Sequence, residues 1–322
     1  MMTDTAVSET VAKASNTVIS ASGLTARLIS YEIRTALKQS GPLARLFMAI
    51  GGKRAAESAM PYISAMILLL FEMKGITKES LGSLVRSAGL TEDKRIESFV
   101  YSLKVNDPLP YVSSAYFLKD LGRAVSTENV SAVVSALGAT PNIQYAGFVL
   151  GKYAEEESGK RDAAQGADGL EERIESSLSA AAKLTSNLII LELKRTFERE
   201  DVRAKELSVI MPYLDSAALL SSIGADLGQT DGPAFREKIR RILRSIGVVP
   251  QEDLLDFLLS INYGNALIYV PPLFFLVSLN VTPTVERIGK VAVSLGKPRD
   301  DVQAGYVLTS YNYLVGMQSR QG

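Results

Sequence analysis

Apolar residues recur at spacings of three and four along two long segments of the chain, which is the spacing of one face of an α-helix. The stripe of the first segment consists of Leu24, Leu28, Ile29, Ile33, Ala36 and Leu37, and that of the second consists of Leu184, Leu188, Ile189, Leu193 and Phe197. Charged residues such as Arg27 and Arg34 lie off the first stripe. The pattern predicts long amphipathic helices over 10–39 and 174–199, each packing on the helices that follow it.

The remaining apolar segments are also helical in pattern, because no stretch alternates between apolar and polar residues as a half-buried strand does. Helix starts are predicted at Ser126 and at Thr282, which precedes Pro283. Predicted helix ends fall at Gly75, Gly89, Gly138, Gly247 and Gly296. We therefore expect an all-α protein of small bundles, with short helices joined by short turns.

Segments of the first part of the chain recur later in the same order. The segment 24–32 is similar to 184–192, Met60-Pro61-Tyr62 recurs as Met211-Pro212-Tyr213, Tyr111-Val112 recurs as Tyr269-Val270, and 146–150 is similar to 304–308. Matches in a repeated order indicate an internal duplication. The predicted organisation is two helical halves, at 10–154 and 171–316, with a charged, glycine-containing linker at 155–170 and flexible ends at 1–9 and 317–322.

Each half also contains two similar units. A unit begins with tyrosine before an apolar helix, continues through a polar turn that ends in Val/Ile-Ser/Thr, and closes with glycine after a second helix. The tyrosines of the four units are Tyr62, Tyr111, Tyr213 and Tyr269. This pattern resembles the N-terminal helical domain of the acidic ribosomal stalk proteins of archaea and eukaryotes, over about 60–153 and 211–311.

The resemblance implies four-helix domains that dimerise and hold hydrophobic helical segments of the stalk-base protein. It also implies that the partner is the ribosome, bound through a ribosomal protein, rRNA or both. The chain departs from the family at Met317–Gly322, where the family has an acidic tail that recruits translational GTPases. The two opening helices are additional as well. We therefore expect dimer-like clamps fused in one chain, without GTPase recruitment.

The amino-acid composition limits the kinds of catalytic and metal site that the chain can form. Its 322 residues include 35 Lys and Arg, 35 Asp and Glu, and no histidine, cysteine or tryptophan. The absence of histidine and cysteine excludes Ser-His-Asp and Cys-His catalysis, disulfides and Cys/His zinc sites. We predict a protein that is not an enzyme and uses no cofactor, metal or small-molecule substrate. A buried Lys–Glu pair with strongly shifted pKa values, lying in a cleft, would favour an enzyme instead.

The most hydrophobic windows, Met60–Met73 and Ala266–Val281, are shorter than the roughly 20 apolar residues of a membrane-spanning helix. The first residues carry Asp4 and Glu9 and lack the basic start of a signal peptide. The lack of cysteine fits a reducing compartment. We expect a cytoplasmic protein that does not insert into a membrane.

A basic run between Arg236 and Arg244 is the sharpest charged feature of the sequence. Its cations are Arg236, Lys238, Arg240, Arg241 and Arg244. Three of the arginines recur at a spacing of four, so they share one helix face, whereas the isoleucines and the leucine of the run face inward. Such a ridge is suited to binding an RNA backbone, and the alternative is an ordinary solvated helix face.

Lys53 and Arg54 follow Gly51-Gly52 at the start of another predicted helix. Free backbone N–H groups at a helix start favour phosphate binding, so these two cations are candidates for nucleic-acid contact. The alternative is a turn between the opening helix and the first unit.

Aromatic residues suggest a second kind of site, a groove for a helix of a partner protein. The candidates are Tyr269, Phe274, Phe275, Tyr62 and Tyr111. An exposed apolar groove would bind a partner helix. The equivalent positions of the tyrosines in the repeat favour packing inside the protein instead.

These observations predict a two-headed, ribosome-associated interaction protein that regulates or silences translation. One alternative is a structural or chromatin-type scaffold that binds DNA or partner helices. A second is a protein–protein adaptor unrelated to ribosomes. Two binding heads in one chain would raise the effective concentration at the second site.

Overall fold

The computed structural model describes residues 2–39, 78–91, 94, 108–158, 179–185, 187–188, 191–192, 195–196, 209–210, 212–216, 232–260, 264–279 and 281–318. These residues form helices and turns and contain no strand, which confirms the all-α prediction. The helices are α1 (Met2–Gln39), α2 (Lys78–Ser87), α3 (Leu109–Asp120), α4 (Thr127–Ala136), α5 (Ile143–Glu157), α6 (Gly232–Ser245), α7 (Glu252–Ser260), α8 (Gly264–Leu267), α9 (Val270–Ser278), α10 (Val285–Ser294) and α11 (Asp301–Gln318).

Several predicted boundaries shift in the structure. The opening helix α1 begins at Met2 rather than at residue 10. The predicted linker begins too early, because α5 continues to Glu157. Lys152 and Glu155 form an ion pair at 2.8 Å in the last turns of α5. Residues 159–170 of that linker lie outside the described residues. The described residues of the second opening helix, between 179 and 196, are helical as predicted.

The chain divides into two compact units, and each unit takes segments from both predicted halves. Unit 1 comprises Met1–Thr25, Pro108–Gln165 and Thr185–Gly264. Unit 2 comprises Ala26–Asp107, Gly166–Leu184 and Asn265–Gly322. The duplication and the halves that it implies stay predictions.

Unit 1 is built around α3. This helix packs on α4 and α5, α4 packs on α6, and α6 packs on α7. Residues Leu109–Leu118 of α3 are all buried, so the helix is apolar on every side rather than amphipathic. Val133 of α4 and Ile239 of α6 are fully buried in the same unit.

Unit 2 has a corresponding arrangement around α10, which packs on α2, α9 and α11. Ile288 and Val291 of α10 are fully buried, as are Leu84 and Val85 of α2. The apolar face of a ten-residue helix thus supplies the centre of this unit.

Five helices end in the same way. α3 is followed by Gly122, with a φ of 64°, which was not predicted. α2, α4, α6 and α10 are each followed by a predicted glycine with a positive φ, at Gly89, Gly138, Gly247 and Gly296, with φ values of 77°, 89°, 74° and 75°. After Gly138, the N–H of Ala139 donates to the carbonyl of Val134 and closes the helix. The prediction of helix ends at these glycines is confirmed, and Gly75 lies outside the described residues.

One predicted helix start is confirmed and one is wrong. The Ser126 hydroxyl accepts a hydrogen bond from the N–H of Asn129 and caps α4. Helix α10, however, begins at Val285, and Thr284 is its cap, because the Thr284 hydroxyl accepts from the N–H of Arg287. The guanidinium of Arg287 donates at 2.7 Å to the carbonyl of Thr282, which therefore belongs to the preceding turn.

Candidate functional site

The predicted basic ridge lies on α6, where the fold separates an apolar face from a charged one. Ile239, Ile242 and Leu243 are buried, as the spacing predicts, and Phe235 is buried as well. Helix α7 packs on α6 and begins with Glu252 and Asp253. The carboxylates of α7 are therefore close to the arginines of α6.

Two of the arginines are bound by these carboxylates. Arg240 donates to Glu252 through Nε at 3.2 Å and Nη2 at 2.6 Å, a two-pronged contact, and Arg236 pairs with Asp256 and with Glu252. The hydrogen bond from Arg240 holds the pKa of Glu252 below its usual value. Arg236 and Arg240 thus have negative partners within unit 1 already.

The other arginines of the ridge differ in this respect. Arg241 and Arg244 are exposed, and neither forms an ion pair with another residue in the described part of the chain, although the charge of Arg244 contributes to the lowered pKa of Glu252. Lys238 is half-buried. The structure thus divides the predicted ridge into a neutralised part, near α7, and a part that presents its charge to solvent. Lys53 and Arg54 lie outside the described residues.

The aromatic groove candidates are buried. Tyr269 is 1% exposed, and Tyr111, Phe274 and Phe275 are also buried. Their rings pack within their own units, as in the edge-on contact of Phe274 with Tyr311 at 5.5 Å between centroids. A partner helix has no access to these four residues in this conformation. Tyr62 lies outside the described residues.

The structure also assembles a polar cluster in unit 1 that the sequence did not indicate. The ammonium of Lys13 on α1 donates to the backbone carbonyl of Asp120 at 2.6 Å. The hydroxyl of Thr17, one turn later, donates to the carboxylate of Asp120. An open cleft of about 350 Å³ lies here, with Lys13, Asn16 and Thr17 of α1 and Tyr116, Lys119 and Asp120 of α3 in its lining.

Asp215 is the unusual member of this cluster. Its side chain is 3% exposed, and neither carboxylate oxygen has a hydrogen-bond partner among the described residues. Burial, followed by the nearby charge of Asp120, raises its pKa to about 7, and the charge of Lys13 opposes that rise. Burial also raises the pKa of Asp120, against the effects of Thr17 and Lys13.

The far side of the cluster is charged as well. Lys119 forms an ion pair with Glu157, and its ammonium lies 5.7 Å from the ring centre of Tyr116. Burial, assisted by the negative charges of Glu157 and Asp120, raises the pKa of Tyr153 to about 12. In the sequence, the only sign of Asp215 is that it is an isolated acidic residue in the apolar run that follows Met211-Pro212-Tyr213.

Two other features, a metal site and a membrane-spanning helix, are not found in the part of the chain that the structure describes. Its acidic residues form no group of three or more that is placed to hold a metal ion. Among the same residues, no helix has both the length and the apolar character needed to cross a membrane. Comparison with protein-family models, with curated proteins and with solved structures finds no significant match.

Proposed function

We propose that the protein is a non-enzymatic interaction protein that binds the ribosome and regulates or silences translation, with Arg241 and Arg244 contacting RNA phosphates. The observation that carries the proposal is the division of the α6 ridge. Arg241 and Arg244 are exposed and form no ion pair in the described part of the chain. Arg236 and Arg240 are held by the carboxylates of α7.

This division matters for phosphate binding. An arginine that is bound to carboxylates attracts a phosphate less strongly, because the carboxylates offset its charge and repel the phosphate. An exposed, unpaired arginine instead displaces counterions from the nucleic acid, and each such contact makes binding more sensitive to salt. Of the five cations of the ridge, we therefore propose only Arg241 and Arg244 as residues that contact RNA.

The stalk-protein resemblance supports the ribosome as the source of that RNA. In unit 1, α4 packs on α6, and in unit 2, α2 packs on α10. These are the glycine-terminated helices of different predicted repeat units, and each pair comes from separate parts of the chain. Pairing of two repeat units is what a dimer-like arrangement within one chain requires.

The polar cluster of unit 1 does not lead us to propose an enzyme. Its shifted carboxylate, Asp215, is 3% exposed, which keeps it away from a substrate. The ammonium of Lys13 is hydrogen-bonded to a backbone carbonyl, so it is not poised as a base or a nucleophile.

Sedimentation of cell lysate through a sucrose gradient tests the proposal, with cells taken in growth and in stationary phase. We expect the wild-type protein to migrate with ribosomes or ribosomal subunits and to leave them as salt is raised. The double substitution Arg241→Gln and Arg244→Gln should move it toward the top of the gradient. Arg123→Gln, at another exposed cation of unit 1, is the matched control and should migrate like the wild type.

Each alternative function has its own outcome in this experiment. Migration at the top of the gradient in both growth phases contradicts stable ribosome binding. Equal affinity of the purified protein for duplex DNA and rRNA would favour the chromatin-type scaffold. Co-migration that the double substitution leaves unchanged would favour a protein-mediated adaptor and remove the RNA role of the two arginines.

A further inference from the structure

An exposed lysine, Lys13, and a buried aspartate, Asp215, form an unusual combination in unit 1. The Asp215 carboxyl group is buried and has no hydrogen-bond partner among the described residues, whereas the nearby Lys13 ammonium donates to the uncharged carbonyl of Asp120. An ionised carboxylate without a partner is strongly unfavourable in a protein interior. The cluster therefore fits a protonated Asp215.

We propose that the Lys13–Asp120–Asp215 cluster is a pH-sensitive switch, in which loss of the Asp215 proton transfers Lys13 from the Asp120 carbonyl to the Asp215 carboxylate and weakens the attachment of α1 to α3. The proposal is independent of ribosome binding, since it uses no residue of the α6 ridge. No covalent step is involved, and the proton goes to solvent.

The charges around Asp215 set the direction of the switch. Asp120, on α3, repels the ionised form, and Lys13, on α1, attracts it. The cleft beside them also carries Glu9 and Lys119, and Glu157 adds negative charge near Asp120. Lys13 is the cation that acts on both aspartates, so it is the group whose position changes with the charge of Asp215. The pKa of about 7 places the change near neutral pH.

Two hydrogen bonds join α1 to α3 in this region, and both are accepted by Asp120. Lys13 binds its backbone carbonyl, and Thr17 binds its carboxylate. Removal of Lys13 leaves the carbonyl without this donor and leaves Asp120 with less positive charge to offset its own. The adjoining open cleft provides room for the Lys13 side chain to move. We therefore expect α1 to open more readily above neutral pH.

Hydrogen–deuterium exchange of the full chain tests the switch, with amide protection in the Lys13–Ser20 part of α1 measured from pH 5.5 to 8.5. After correction for the intrinsic exchange rate, protection of these amides should fall about tenfold between pH 6 and 8. Asp215→Asn, which cannot ionise, should remove the fall. Asp253→Asn, at an exposed aspartate of the same unit, should behave like the wild type.

A second variant keeps the test decisive if Asp215→Asn fails to fold. Lys13→Met removes the cation that stabilises ionised Asp215, so the midpoint of the Asp215 titration should move to higher pH by about half a unit or more. The carboxyl carbon that titrates near pH 7 in aspartate-labelled wild-type protein measures this midpoint. The pH-dependent change in α1 protection should be lost in Lys13→Met, because the contact of Lys13 with the Asp120 carbonyl is already absent. An unchanged midpoint in Lys13→Met, a flat wild-type profile, or a persistent transition in Asp215→Asn each overturns the proposal.

Discussion

The hydroxyl of Tyr111 accepts a hydrogen bond from the backbone N–H of Asn142 at 2.8 Å, across the turn that follows Gly138. The side chain of Asn142 in turn accepts from the N–H of Tyr145 and caps α5. Tyr213 makes the same contact with the N–H of Gln251, whereas the hydroxyl of Tyr269 donates at 2.8 Å to the carbonyl of Pro298. Asn142 and Gln251 each lie four residues after a glycine of positive φ, and Pro298 lies two residues after one.

Replacement of Tyr111 by phenylalanine should test this contact. The ring and its edge-on contact with Tyr145 would remain, but the N–H of Asn142 would lose its acceptor. We expect the free energy of unfolding to fall by about 1 kcal/mol. Urea denaturation measures this change, and Tyr313→Phe, at a tyrosine that is 66% exposed, is the control. Equal stability of the two variants would mean that the Tyr111 hydroxyl contributes nothing.

Two glycines offer alanine substitutions of opposite effect. Gly138 has a φ of 89°, which a residue with a Cβ adopts only with strain, so Gly138→Ala should destabilise the protein by about 1 kcal/mol. Gly147 is an exposed residue inside α5 with open space around its Cα, so Gly147→Ala should stabilise it by roughly 0.5–1 kcal/mol. Thermal unfolding followed by circular dichroism compares them, and a shift of the same sign in both variants would contradict the assignment.

The α6 arginines predict a specific salt dependence of RNA binding. If Arg241 and Arg244 each neutralise one phosphate of single-stranded RNA, the double glutamine variant should lower the slope of log affinity against log salt by roughly 1.4. Arg236→Gln with Arg240→Gln should change the slope much less, because these residues are held by α7. Fluorescence anisotropy with a labelled rRNA fragment at several salt concentrations measures both slopes. The reverse ranking would place the RNA on the other part of the ridge.

Most of the fold could be predicted from helix periodicity, because periodicity depends only on residues that are close to one another along the chain. The inward positions of Ile239, Ile242 and Leu243 and the helix ends at Gly138 and Gly296 follow from local spacing. The pairing of α4 with α6 does not, because it joins segments about a hundred residues apart. The two ion pairs of Arg240 with Glu252 and Glu237 illustrate the same limit, since only the second is set by helix spacing.

The cluster around Asp215 was missed for a related reason. Lys13, Asp120 and Asp215 are ordinary polar residues in sequence, and each lies in a different segment. What distinguishes the two carboxyl groups is their burial, because the pKa of a carboxyl group rises when packing removes its water. The prediction that excluded catalytic chemistry from composition therefore gave no information about this site.

Asp215 also predicts how stability changes with pH. Below about pH 4 the folded and unfolded chains both hold the Asp215 proton, because the ordinary pKa is 3.8. Between that value and the folded pKa of about 7, the folded chain holds a proton that the unfolded chain has released, so the free energy of unfolding falls as pH rises. Above pH 7 the loss of stability is complete, at roughly 4 kcal/mol, since each unit of pKa shift is worth about 1.4 kcal/mol.

Asp215→Asn should therefore match the wild type in stability near pH 4 and exceed it by a few kcal/mol at pH 8. Urea denaturation at pH 4, 6 and 8 measures the difference between the two proteins, with Asp253→Asn as the control. A constant difference across this range would show that Asp215 ionises in the folded protein as it does in the unfolded chain.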